Sequence, residues 1–128
     1  MKIKLILIFL ISSLLLVACN KDEEPTQTIE IQQLINFEEV QPDTLQTITD
    51  KKEVKLIEQT FKKARKFGEV DNDIVPQYKI KLNGNEYYLW IDQTNTGTIA
   101  DVTNRNMFYN ILATDQFKEA IHYQIQNQ

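Results

Sequence analysis

The chain has 128 residues, with 18 acidic and 14 basic side chains, one cysteine, one histidine and a net charge of −4. A single cysteine excludes an intramolecular disulfide, so the fold must hold by packing alone. The acidic balance argues against nucleic acid as a partner, because a basic surface supplies most of that affinity.

Met1-Lys2-Ile3-Lys4 is a short positive start, and Leu5 to Leu16 is an apolar run interrupted by Ser12 and Ser13. A charged start, an apolar stretch and small residues before a cut describe an export signal. The run is shorter than the roughly 20 residues that a membrane-spanning helix needs. Leu16-Val17-Ala18-Cys19 resembles the lipobox of bacterial lipoproteins, which sets the expected cleavage between Ala18 and Cys19. In that class the cysteine thiol receives a diacylglyceryl group and its freed amine is acylated. Two or more acyl chains anchor a protein stably, where one binds only marginally. The expected partner is therefore a membrane, met from its extracytoplasmic face through Cys19. Lys2 and Lys4 fall in this leader, so the remainder carries 12 basic and 18 acidic side chains, a net charge of −6.

Asn20 to Thr28 is polar and contains Asp22-Glu23-Glu24-Pro25, which reads as a tether. The expected organisation is a signal at 1–18, a lipidated cysteine and tether at 19–28, and one domain at 29–128. Ile29 opens a strand that can run to Phe37, with alternation slipping at Leu34-Ile35. Leu45 to Ile48 reads as a short strand.

Asp50 is a helix N-cap, with Glu53 three residues on in a capping-box pattern. Val54, Ile57, Phe61 and Ala64 form an apolar stripe, widened by Leu56 and Phe67. Gly68 reads as the C-cap, which places Arg65 and Lys66 in the last turn. Seven basic residues between Lys51 and Lys66 crowd the other side of this helix, a face suited to anionic headgroups or wall polymers, or to solvent alone.

Tyr78 to Leu82 alternates strictly, Asn83-Gly84 is a hairpin turn, and Glu86 to Asp92 is the return strand. A two-residue turn sets Lys81 against Glu86, Ile80 against Tyr87 and Tyr78 against Leu89. That register leaves Lys79, Tyr88 and Trp90 on the second face. Gln93 to Gly97 reads as a turn, Thr98 to Thr103 and Met107 to Leu112 as strands. Thr114 or Asp115 caps a last helix with Phe117, Ile121 and Ile125 inward. The expected fold is α+β, an antiparallel sheet of about four to six strands covered on one face by two helices.

Three residue patterns could carry chemistry. His122 lies off the apolar side of the last helix and reads as a surface histidine, because triads and most zinc sites need partners placed around it. Asp92 to Thr103 echoes a calcium loop but has Thr94, Thr96 and Thr103 at ligand positions, so a hairpin turn is the better reading. Asp71-Asn72-Asp73 with Glu69 reads as a solvated loop. No cofactor or metal is expected.

The segments Ile74-Val75-Pro76-Gln77-Tyr78-Lys79-Ile80, Tyr87-Tyr88-Leu89-Trp90-Ile91 and Gly97-Thr98-Ile99-Ala100-Asp101 resemble the C-terminal part of YhfM-like lipoproteins of Bacillus-type bacteria. The resemblance covers roughly residues 50 to 125. It implies an exported location and a compact accessory domain, and it carries over no site residue.

The expectation is thus a lipid-anchored, non-enzymatic binding or accessory module at the cell envelope. Tyr88, Trp90 and Lys79 are its binding face, suited to an envelope protein, unless the tether or the first strand covers them. Alternatives are a sensory or inhibitory ectodomain serving a membrane stress regulator, and a hydrolase using Asp71, Asp73, Asp92 and Asp101. The sequence leaves the oligomeric state open.

Overall fold

The computed structural model describes residues 27–123. They form an α+β fold, one seven-stranded antiparallel sheet with two helices on a single face. In chain order the elements are β1 (Ile29–Gln33), β2 (Gln46–Ile48), α1 (Lys51–Lys62), β3 (Arg65–Glu69), β4 (Tyr78–Leu82), β5 (Asn85–Ile91), β6 (Thr96–Asp101), β7 (Met107–Leu112) and α2 (Asp115–Ala120). A short 3₁₀ turn, Val102–Asn104, joins β6 to β7. The spatial order is β2-β1-β4-β5-β6-β7-β3.

The hairpin register follows from its turn. Asn83 and Gly84 sit at φ 53° and 78°, the positive values that a two-residue hairpin turn requires. Lys81 then pairs with Glu86, Ile80 with Tyr87 and Tyr78 with Leu89, as the alternation predicts. Period-two alternation sends Ile29, Ile31, Ile80, Leu89, Ile99 and Ile111 to one face, where Val54 and Ile57 of α1 and Phe117 of α2 close over them. Phe117, Ile57, Ile80 and Leu89 are completely buried.

α1 starts where the sequence places it. Asp50 Oδ1 accepts from the backbone N–H of Lys52 at 2.9 Å and of Glu53 at 3.0 Å. It ends at Lys62, six residues before the expected glycine cap at Gly68. Arg65–Glu69 is instead the edge strand β3 on β7, so Arg65, Lys66 and Phe67 do not belong to the helix. Gly68, at φ 129°, sits at a bulge between Lys66 and Gly68 rather than at a left-handed helix cap. The edge of β7 has carbonyl and amide groups to satisfy, and pairing them outweighs the modest helix propensity of a few residues.

Other strand boundaries also differ from the sequence reading, by one residue at β2 and β5 and by more at β1 and β6. β1 stops at Gln33, because the Asn36 carboxamide accepts from Glu38 N and Glu39 N and turns the chain back, pairing Leu34 with Val40. β6 runs Thr96–Asp101, since Asp101 Oδ1 caps Thr103 and bends the chain into the 3₁₀ turn. Gly97 is therefore a strand residue, and a Cβ there would lie 2.8 Å from Ile111 Cγ1. Thr114 caps α2, with Phe117 and Ile121 inward as expected, while Ile125 lies outside the described residues.

The chain leaves β3 at one sheet edge and enters β4 beyond three intervening strands. Four strand spacings are about 19 Å, and eight residues reach at most about 27 Å, so residues 70–77 must cross almost straight. Val70 N donates to Asn106 O at the start, and Gln77 N to Leu89 O at the end. With the helices on one face, the crossing occupies the other.

Candidate functional site

The second sheet face is where Tyr88, Trp90 and Lys79 meet. Tyr88 and Trp90 alternate with the buried Leu89 along β5, and Lys79 pairs with Tyr88 from β4. The three form one surface with residues that periodicity alone does not single out. Phe37 stands edge-on to Tyr88 with centroids 5.5 Å apart. Trp90 lies 6.1 Å from Tyr88 and 5.0 Å from Phe108 of β7. The Arg105 guanidinium covers Phe37, 4.7 Å from the ring centroid. The result is an aromatic row running Phe37, Tyr88, Trp90, Phe108, with a cation over its first member.

The row is covered unevenly. Tyr88 is 5 % exposed and Phe108 8 %, so both act as a second, smaller core. The Tyr88 hydroxyl donates to Phe37 O at 2.8 Å, fixing the turn after β1 against the sheet. Burial pushes the Tyr88 phenol above its usual value, and Glu38 and Glu86 add to that, against the opposing pull of Arg105. Trp90 is only half-buried, and its indole N–H donates to Ile74 O at 2.9 Å. Thus residues 34–40 and 70–77 cover this face. Phe37, the last residue of the segment that the sequence reading ran on from Ile29, is the part of the first stretch that lies on Tyr88. Beside the indole the crossing segment leaves Ile74 69 % and Val75 39 % exposed. Lys79 is half-buried and lies 3.7 Å from Glu86, a diagonal contact two register positions from the Lys81–Glu86 pair.

The other candidates stay apart. Asp92 Oδ1 accepts from both Thr94 N and the Thr94 hydroxyl, and Asp101 Oδ1 from Thr103 N and Oγ1 at 2.7 and 2.6 Å. Each carboxylate thus closes its own turn. Asn72 does the same for Ile74 N, between the exposed Asp71 and Asp73. His122 is exposed and borders a shallow polar depression with Gln33, Thr44 and Gln46. Among the described residues no three of His, Cys, Asp and Glu are grouped to hold a metal ion. Ala18 and Cys19 lie outside the described residues.

Phe108 was within reach of sequence reasoning, because Ile111 faces the main core and alternation puts Phe108 opposite. Phe37 and Ile74 were not, because irregular segments carry no period. No protein-family model, curated protein or solved structure matches the chain.

Proposed function

We propose that this protein is an exported lipoprotein, held by an acylated Cys19 on the extracytoplasmic face of a membrane, whose domain binds an envelope protein without catalysing a reaction. The observation that carries the reading is the sequence Leu16-Val17-Ala18-Cys19 behind a charged start and an apolar run. Membership of the YhfM-like lipoproteins is part of the same proposal. The half-buried Trp90, with the exposed Ile74 and Val75 beside it and Lys79 at its flank, supports the second face as the binding surface. An aromatic anchor with an apolar rim and a nearby cation suits a protein surface better than a small hydrophilic substrate.

Growth with radiolabelled palmitate tests the anchor. The full chain should carry label, and Cys19→Ala should carry none. An unlabelled full chain would sink the lipoprotein reading. The face is tested by comparing capture of envelope proteins by the wild-type domain, Trp90→Ala and Lys79→Ala. Equal capture by all three removes the role of that face.

A further inference from the structure

From the geometry of α1 we infer that its outer ridge is a docking surface for an anionic lipid bilayer, laying the anchored domain on the membrane helix side down. At about 100° per residue, Lys51, Lys52, Lys55, Gln59, Lys62 and Lys63 occupy one arc of about 120°. Val54, Ile57 and Phe61 occupy the opposite side, packed on the sheet. All six residues of the outer arc are exposed, and none is acidic. The helix's own acids, Glu53 and Glu58, are half-buried on its flanks, with Glu58 Oε1 shielded from solvent. The only ion pair among the described residues is Lys79–Glu86 on the other face, so none of these five lysines is held in one. Past the helix the exposed Lys66, paired with Tyr109 and so on the helix side of the sheet, adds to the ridge, followed by Phe67 at 63 % exposure, while Arg65, paired with Asn110, faces the other side. Basic residues with a neighbouring exposed aromatic are the composition that rests in a headgroup layer. On a chain with net charge −4, this concentration of unpaired cations is local.

The course of the chain selects a bilayer as the anion. β1 begins at Ile29, which pairs with Ile48, three residues before Lys51. The segment leading back to Cys19 therefore leaves the domain beside the start of the ridge. Its nine residues, Asn20 to Thr28, reach about 30 Å at most. The ridge, about 18 Å long, lies within that radius of the anchored end. This orientation rests on the lipid-anchor reading. It would turn the Trp90 face, on the opposite side of the sheet, away from the bilayer and toward a partner.

The test uses the chain from residue 19 onward with Cys19→Ser, which keeps every residue of both cores but carries no lipid. Binding is measured by co-sedimentation with vesicles of phosphatidylcholine alone and of phosphatidylcholine mixed with phosphatidylglycerol. Binding should appear only on the anionic vesicles and weaken with added salt. Lys55→Gln should reduce the partition coefficient about fivefold and Lys55→Gln/Lys62→Gln more than tenfold. Lys81→Gln, on the other sheet face, should leave it unchanged. Lys55 and Lys62 are exposed and in no ion pair, so the variants should keep the wild-type near-ultraviolet circular dichroism. Equal binding to both vesicle types, or an equal loss with Lys81→Gln, overturns the inference. So does binding to soluble poly(glycerol phosphate) without binding to anionic vesicles, which would identify a wall polymer instead. Because the test protein has no lipid, a failed palmitate labelling and a failed vesicle assay are separate results.

Discussion

Tyr88 joins two parts of the molecule through one hydroxyl. Its ring is buried in the aromatic row, and its O–H holds the carbonyl of Phe37, 51 residues away in sequence. Tyr88→Phe keeps the ring and removes the bond. The expected loss is about 1 kcal/mol in urea denaturation, and an unchanged midpoint would show that the bond contributes nothing net. The same residue sets a pH dependence. Its folded-state pKa lies above the unfolded value, mainly because burial disfavours the phenolate. The stability it contributes is therefore complete below about pH 10 and is lost as pH rises through the raised folded value. A stability–pH profile should fall less steeply for Tyr88→Phe on that alkaline limb. Gly97 shows another side of the residue scale. Its place in a loop-like run of Thr and Asn suggests a turn glycine, yet it is buried in β6, where Ile111 leaves no space for a Cβ.

At the scale of elements, α1 depends on its first turn. The helix has 12 residues, too few to persist alone, so capping and packing jointly hold it. Asp50→Ala removes the acceptor for two otherwise unpartnered N–H groups and should cost about 1 kcal/mol. A thermal melt followed by far-ultraviolet circular dichroism measures it, and a wild-type melting temperature would contradict the role of the cap. The start of α1 was legible because a cap is a local chemical signal. Its end was not. Phe61, Ala64 and Phe67 continue a helical period, and nothing in that segment announces that β7 needs a partner. β3 then serves as an edge strand blunted by a bulge and two basic residues, a common protection against unwanted strand pairing.

Across the whole molecule, the two faces of the sheet have different covers. Helices close one, and the other is closed by the turn after β1 and by residues 70–77 crossing from β3 to β4. The Trp90 indole is the bond that pins this crossing at its midpoint. Trp90→Phe retains an aromatic ring but frees Ile74 O. Limited proteolysis should then cut within residues 71–75 faster than in the wild type, while the sheet core resists. Equal cleavage rates would mean that Pro76 and Gln77, with the Gln77 amide bonded to Ile91 N and O at 2.7 Å, hold the segment unaided. The proposed lipid-facing ridge and the proposed partner-facing row lie on opposite sides of this one sheet, so the two can be tested by independent substitutions.

The sequence by itself determined the α+β class, the hairpin register at Asn83-Gly84, the N-cap of α1 and, to within one residue, that of α2, and most of the residues that face the main core. These follow from interactions within a few residues or from a strict period, and such signals survive without a fold around them. It also brought Lys79, Tyr88 and Trp90 to one face, since alternation from a fixed turn leaves no other choice. Tertiary structure alone decided that the sheet has seven strands, that α1 yields to β3 at Arg65, and that Phe37 and Ile74 cover the aromatic row. Each of those outcomes depends on backbone groups and apolar surface far away in the chain, which must be satisfied by whatever segment passes near enough.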